Sequence, residues 1–139
     1  MLGSHPDVSD ELMLDASVGA DDIIYLTVSG RITNAHADEF AKWAERVKML
    51  IREMSKRQST PVLICSDASG VRHFETKAVS LLRDLLDYDK QYNIKSAMFG
   101  AGTTTSMLLD AVIAWTRRTN LKQFAKKGEA IAWLIDTNS

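Results

Sequence analysis

The sequence predicts an α/β fold in which a mixed, mainly parallel sheet of about five strands carries about four helices. The first observation is residues 62–65, an apolar segment without alternation, which is typical of a parallel strand covered on both faces. Pro61 fits only at the first position of this strand, because proline has no N–H for the ladder. The second observation is the order of the segments, β-β-α-β-α-β-α-β-α, which requires right-handed crossovers between parallel strands. We expect the helices two to a face or all on one side.

A β-hairpin is predicted at the start of the fold. Residues 11–17 and 23–29 both show strand-like patterns, and a short polar turn at residues 19–22 separates them. Gly30 is expected to close the second strand. This antiparallel pair is what makes the predicted sheet mixed.

Two helices flank the central strand in the predicted order. Thr33 or Asn34 is expected to cap the first helix, whose apolar residues recur at helical spacing to about residue 56. The second helix is predicted over residues 75–88, with its leucines forming the buried stripe.

The remaining segments repeat the alternation. Residues 94–99 predict a short strand, and the helix that follows over residues 105–117 is expected to be capped by Thr103 or Thr104. Residues 121–125 predict an edge strand and residues 129–135 a last helix.

Length and composition predict a single domain over residues 11–139, preceded by a mobile leader at residues 1–10. The net charge of -1 argues against binding to nucleic acid or anionic lipid. No apolar run approaches the length of a membrane span, no signal peptide is evident, and the single cysteine, Cys65, lies within the predicted central strand. We therefore expect a cytoplasmic protein with a buried, reduced thiol.

The loops at the carboxyl ends of the parallel strands are the predicted working edge of the sheet. Residues 66–74 and 100–106 both follow such strands, so they should lie side by side. These loops and the start of the next helix supply the residues predicted to bind a partner or an anion: Asp67, Ser69, Gly70, Arg72, His73, Lys77, Gly100, Gly102, Thr103 and Thr104. A purely structural interpretation of Gly100, Gly102 and the threonines, as a tight turn and a helix cap, is also open.

Catalytic and metal chemistry find no support in the sequence. His5, His36 and His73 lack metal-ligand spacing, and no Gly-x-Ser-x-Gly turn presents a serine nucleophile. We expect no metal, no cofactor and no enzymatic activity.

Three features of the chain resemble the STAS domains (sulphate transporter and anti-sigma-factor antagonist), in particular the SpoIIAA-like branch. Asp67-Ala-Ser-Gly-Val71 after an apolar strand is similar to the stretch that precedes the switch segment of antagonist proteins. Lys122-Gln-Phe124 and Glu129-Ala-Ile-Ala-Trp-Leu134 resemble the close of the branch, and the element order matches over residues 11–136. The resemblance implies a STAS-like fold and a bacterial regulatory module that binds a protein. It also implies kinship of fold with the CRAL-TRIO lipid-binding domains.

The resemblance also implies a candidate phospho-switch. Antagonist proteins carry Asp-Ser-Ser-Gly at the start of the next helix, where the serine is phosphorylated, and here the matching positions read Glu75-Thr76-Lys77-Ala78. Thr76 keeps a hydroxyl although the glycine is missing, and Ser69 is the other candidate hydroxyl. The simpler interpretation is that Thr76 only caps or begins the helix.

Two functions therefore remain open. One is a non-enzymatic module that docks a regulatory protein through the loops and the second helix. The other is a domain that binds a small apolar ligand or lipid in a pocket lined by Met98, Phe99, Met107, Leu108 and Trp115. Apolar residues in excess of one stripe, such as Met49, Leu50 and Tyr88, further predict a homodimer built from helices.

Overall fold

The computed structural model describes residues 11–117 and 119–136, so the predicted leader at residues 1–10 lies outside the described residues. The described elements follow the predicted order. They are β1 (Met13–Val18), β2 (Ile23–Ile32), a short 3-10 helix (Asn34–His36), α1 (Ala37–Arg57), β3 (Val62–Phe74), α2 (Thr76–Asp89), β4 (Ile94–Phe99), α3 (Thr103–Thr116), β5 (Leu121–Phe124) and α4 (Lys127–Ile135).

The strands form one mixed sheet in the order β1-β2-β3-β4-β5. β1 runs antiparallel to β2, and the other neighbours are parallel. Both the mixed, mainly parallel sheet and the central position of β3 are thus confirmed.

The helices divide three to one between the faces of the sheet. Residues of α1, α2 and α3 share one core cluster, whereas Ala130 and Leu134 of α4 pack with Ile23, Cys65 and Ala97 on the other face. The expectation of two helices to a face, or all on one side, was therefore wrong. The reason is topological, because β2 to β5 follow one another in a single direction and each right-handed crossover then places its helix on the same side. Only α4, which follows the last strand, is free to cover the opposite face.

β3 is longer than predicted. The expected loop at residues 66–74 is instead a continuation of the strand, which spans 13 residues and pairs with β2 as far as Phe74. Two irregularities in that pairing each give β3 one extra residue, the first between Asp67 and Gly70 and the second between Val71 and His73. Such bulges turn the next side chain back to the same face.

The bulges explain how the polar end of β3 still contributes to the core. Up to Ala68 the helix-facing residues recur every second position, and beyond it they recur every third, at Val71 and Phe74. Phe74 packs edge to face on Phe40 of α1, with the ring centroids 5.8 Å apart. The far end of β3 is therefore anchored by packing on α1.

β2 also extends beyond its predicted end. Gly30 does not close the strand but sits within it, with φ of +93°, and the ladder continues to Ile32. A Cβ at this position would lie 2.1 Å from the carbonyl oxygen of Glu11, so only glycine lets the chain pass.

Helix α1 covers the β1 edge of the sheet. The Trp43 indole nitrogen donates a hydrogen bond to the Asp15 carbonyl oxygen (2.9 Å). Arg46 donates to the Ala16 carbonyl oxygen through Nε (3.2 Å) and Nη2 (2.9 Å). The backbone of this edge strand is thereby engaged by side chains of α1.

The predicted helix caps were partly wrong. Thr33 precedes the 3-10 helix, and its N–H donates to His36 Nδ1 (3.4 Å), whereas α1 itself begins only at Ala37. α3 begins at Thr103 after Gly102, so neither Thr103 nor Thr104 is its cap. Threonine is common at helix starts, which is why the sequence predicts a helix from residue 105. The extended backbone at Gly102 makes this residue the N-cap, so α3 begins earlier, at Thr103.

No helix in the described part of the chain is both long enough and apolar enough to cross a membrane.

Replacing Gly30 by alanine should sharply destabilise the fold. The new Cβ meets backbone rather than a flexible side chain, and φ is in the left-handed region, so we expect Gly30→Ala to lower the free energy of unfolding by about 2–4 kcal/mol in urea titrations. The matched control is Gly128→Ala in α4, where no atom lies within 4 Å of the added Cβ. It should leave stability unchanged or raise it by about 0.5 kcal/mol, and equal losses in both variants would contradict the close approach at Gly30.

Cys65 should react slowly with thiol reagents in the native protein. Its side chain is 1% exposed under α4, and burial raises the pKa of its thiol, so both access and thiolate content are reduced. We expect a disulfide-exchange reagent to modify it at least about 100-fold more slowly than in denaturant. A Ser80→Cys variant, with a second thiol at an exposed position of α2, supplies the fast reference in the same molecule. Similar native rates for both thiols would show that the sheet face under α4 is open.

Candidate functional site

The ends of β3 and β4 meet at the carboxyl edge of the sheet. Gly100, just after β4, has φ of +81° and lies so close to Ser69 that an added Cβ would be 2.7 Å from the Ser69 Cβ. Residues 66–74 and 100–106 are thus neighbours, as the topology predicts. The glycine is required at this contact by both its backbone angle and the available space.

Ser69 is held by the carboxylate of Asp67. The Ser69 N–H (2.9 Å) and its hydroxyl (2.6 Å) both donate to Asp67 Oδ1. Ser69 lies in the first bulge of β3, and both of these bonds go to a side chain two residues earlier in the same strand. Its hydroxyl is exposed but already committed to this bond.

The start of α2 is tied to the 3-10 helix by a reciprocal pair of hydrogen bonds. Glu75 Oε1 accepts from the Asn34 N–H (2.7 Å), and Asn34 Oδ1 accepts from the Lys77 N–H (3.1 Å). Glu75 also donates its own N–H to the Ile32 carbonyl oxygen (2.9 Å). The first turn of α2 is therefore fixed against the end of β2.

These contacts explain the charge state of Glu75. The hydrogen bond from Asn34, and secondarily the nearby His73 ring, lower the pKa of the Glu75 carboxyl. His73 Nε2 lies 3.5 Å from Glu75 Oε2. The carboxylate is thus held in its ionised form at the base of α2.

Thr76 is the first residue of α2, and its side chain is exposed. It borders an open groove of about 410 Å³ between the starts of α1 and α2. Lys77 supplies a cation to this groove and Asp38 a carboxylate, and the other lining residues are Ala37, Ala41, Ser80 and Leu81. A hydroxyl at the mouth of a groove is accessible to a macromolecule.

The other predicted loop residues are less closely grouped. Gly70 lies against the Ser29 side chain, since a Cβ there would be 2.5 Å from the Ser29 Cβ. Arg72 is exposed in the second bulge of β3. Gly102, Thr103 and Thr104 form the exposed start of α3, with no atom within 4 Å of a Cβ added to Gly102.

The five residues predicted to line an apolar pocket are not brought together. Met98 faces the core under α2 and α3, whereas Phe99 packs on the opposite face with the second cluster. Leu108 is partly buried, and Met107 (68% exposed) and Trp115 (65%) lie on the surface.

A small cavity does exist in the core, and of the five predicted residues only Met98 lines it. It has a volume of about 50 Å³ and is lined mainly by apolar residues of the sheet and α1 to α3, among them Leu82, Leu86, Met98 and Leu109. Pockets for drug-sized ligands measure roughly 300–1,000 Å³, so this space admits only a few atoms without movement of α3.

The residues of the predicted dimer surface differ in their exposure and in their contacts. Met49 is 49% exposed on α1, whereas Leu50 is partly buried against the core. The Tyr88 hydroxyl accepts from Arg52 Nη1 and lies 3.1 Å from the Tyr92 hydroxyl. Hydrogen bonding to Arg52 and Tyr92 lowers the pKa of Tyr88 against the opposing effect of burial.

Sequence reasoning missed Asn34 as a site residue and the role of Glu75 as its partner. The two residues are separated by 41 positions, so no local pattern could pair them. Within residues 11–117 and 119–136, no cluster of three histidine, cysteine or acidic side chains could hold a metal ion.

Solved structures with this fold come from several bacteria. A putative anti-sigma factor antagonist from Thermotoga maritima is 14% identical, with a TM-score of 0.63 over 88% of this chain and 95% of that one. An anti-sigma factor antagonist from Mycobacterium paratuberculosis is 15% identical, with a TM-score of 0.62 over 91% and 97%. An uncharacterized protein with a SpoIIAA-like fold from Shewanella loihica is 17% identical, with a TM-score of 0.60 over 88% and 93%.

No family model matches the chain, and no curated protein matches its sequence. The structural likeness extends over the hairpin, the parallel strands and the four helices, and it agrees with the motifs found in the sequence. The chain therefore has the SpoIIAA-like fold of the STAS domains.

Proposed function

We propose that this chain is a non-enzymatic regulatory module that docks another protein at the carboxyl edge of its sheet. The docking surface comprises the end of β3, the β4–α3 loop and the start of α2. The observation that carries the proposal is the exposed Thr76 hydroxyl, which the link between Asn34 and Glu75 holds in a fixed position beside this edge. Structural neighbours described as anti-sigma factor antagonists support a protein as the partner.

A phosphate on Thr76 would change the docking surface more than the fold. It would add about -1.5 to -2 charges at the start of a helix, where the dipole and Lys77 favour an anion. Asp38 and the ionised Glu75 oppose it, and the Lys77 N–H is already bonded to Asn34. These opposing terms leave a small net effect on folding, whereas the surface next to the groove, where Lys77 now faces Asp38 and Glu75, would become strongly negative.

Ser69 is the weaker candidate for such a switch. Its hydroxyl is bonded to Asp67, so a phosphate there would break that bond and place two anions side by side. The resulting loss of stability would affect the bulge of β3 and hence the sheet.

The small volume of the core cavity and the scattered positions of the predicted pocket residues favour protein docking over the binding of an apolar ligand. The cavity is small, and the residues expected to surround a ligand are divided between two faces and the surface. We therefore place the partner on the exposed edge rather than inside the domain.

Thr76→Glu should weaken capture of the partner while leaving the fold intact. Thr119→Glu is the matched control, since Thr119 is also exposed but lies before β5, at the opposite end of the sheet. Affinity capture from cell extract with quantitative mass spectrometry, followed by calorimetric titration of the captured protein, should show a loss of at least about 10-fold with Thr76→Glu alone. Both variants should unfold within about 0.5 kcal/mol of the parent chain.

Ser69→Glu should chiefly destabilise the protein, by about 1–2 kcal/mol in chemical denaturation, because it removes the bond to Asp67 and adds a like charge. A partner that is captured equally by the parent chain and by the Thr76 and Ser69 variants would overturn docking at this edge. A partner lost equally with Thr119→Glu would place the surface elsewhere.

A further inference from the structure

Two of the three tyrosines of the chain form a pair at the end of α2. Tyr88 lies in the last turn of the helix, and Tyr92 follows one turn later, just before β4. Their hydroxyl oxygens are 3.1 Å apart, and their ring centroids are 5.5 Å apart. The two rings therefore converge at their hydroxyl ends, where the ortho carbons next to each hydroxyl also lie.

The backbone and two neighbouring cations hold this pair in place. Three hydrogen bonds of the 3-10 type close the turn after α2, the last of them from the Tyr92 N–H to the Asp89 carbonyl oxygen (3.1 Å). The Tyr88 hydroxyl accepts from Arg52 Nη1 of α1 (3.1 Å), and Lys48 Nζ lies 5.0 Å from the centroid of the Tyr88 ring. Tyr92 also packs against the core, so both rings are kept next to each other.

The hydrogen bonds also determine which hydroxyl loses its proton more easily. Burial raises the pKa of Tyr88, but the bonds to Tyr92 and Arg52 outweigh this effect and lower the pKa overall. The bond between the two hydroxyls raises the pKa of Tyr92. Tyr92 is therefore the donor in this bond, and Tyr88 is the tyrosine that ionises first.

We propose that Tyr88 and Tyr92 are an oxidative modification site, at which one-electron oxidants join the two rings as an intramolecular dityrosine. Each tyrosine gives one electron to the oxidant and its phenolic proton to water, and the two phenoxyl radicals then form a carbon–carbon bond between their ortho carbons. The hydrogens on these carbons move to the oxygens and restore both phenols, so the pair loses two protons and two electrons in all. Hydrogen peroxide, used by a peroxidase, takes up both and yields two molecules of water.

The pair already has much of the geometry of this product. The new bond of a dityrosine places the two hydroxyls next to each other, where one donates a hydrogen bond to the other, and the hydroxyls of Tyr88 and Tyr92 are bonded in the same way. The ring planes are inclined by 45°, which suits the twisted single bond that joins two aromatic rings. Rotations of the two side chains are enough to bring the ortho carbons together. The product would link the last turn of α2 to the segment that leads into β4.

The third tyrosine, Tyr25, serves as an internal control. It lies in β2 on the opposite face of the sheet, where it packs with the cluster under α4. Its hydroxyl donates to Asp21 Oδ2 (2.6 Å), a bond that raises the pKa of Tyr25 to about 12. The proposed pair also lies at the opposite end of α2 from Thr76, so its failure would leave the proposed docking edge untouched.

Oxidation by a haem peroxidase with a limited supply of hydrogen peroxide tests the proposal. At about 5 µM protein, coupling within one molecule should outpace coupling between molecules, because neighbouring groups have much higher effective concentrations. The product should remain monomeric on a denaturing gel, show dityrosine fluorescence and be two hydrogens lighter by mass spectrometry. Trypsin cuts after Lys90, between the two tyrosines, so peptides 84–90 and 91–95 should stay joined only in the oxidised protein.

Phenylalanine variants keep each ring and remove only the hydroxyl. Tyr88→Phe and Tyr92→Phe should each lower the yield of joined peptides at least about 10-fold, whereas the matched control Tyr25→Phe should leave the yield unchanged. A parent chain that gives no joined peptides overturns the proposal. Joined peptides that contain Tyr25, or dityrosine found only in covalent dimers, would also exclude coupling within this pair.

Discussion

The central strand β3 must bury side chains on both of its faces and pair its backbone with strands on both sides, and the rest of the fold follows from that requirement. Its partners β2 and β4 run parallel to it, so the chain must return across the sheet through α1 and α2. Right-handed crossovers place these helices, and α3, on one face, and Cys65 on the other face is left for α4 to cover. A polar substitution in this strand would consequently disturb the helix layer on the side to which its side chain points.

The candidate site depends on the same strand. Two bulges let β3 continue beyond the end of β4, so that Ser69 reaches Gly100 and Phe74 still packs on Phe40. The strand therefore leads directly to Glu75 at the start of α2. There the side chain of Asn34 accepts a hydrogen bond from the N–H of Lys77 in the first turn of the helix. Rigid support of this kind is what a surface needs if it is to present one hydroxyl in one place to a partner.

The sequence predicts the fold well where periodicity is simple and less well where it changes. The strand Ile94–Phe99 agrees at both ends with the prediction, because its apolar run is short and bounded by polar residues and glycine. The end of β3 was interpreted as a loop because its core-facing residues change from a spacing of two to a spacing of three, a pattern typical of neither strand nor helix. The bond between Asn34 and Glu75 crosses 41 positions, and such contacts carry no local signal. The exposure of Met107 and Trp115 could not be predicted either, because the sequence pattern of an apolar helix is the same whether its second face is buried or exposed.

Trp43 and Arg46 cover β1, and this affects how the protein behaves at high concentration. Open sheet edges are templates for strand addition, which leads to fibrous aggregates. Here one edge has backbone carbonyls already occupied by side chains of α1, and the other edge, β5, is only four residues long. Addition of strands from other molecules is thereby hindered at β1 and limited to four residues at β5, so the native protein should resist amyloid-type polymerisation even in concentrated solution.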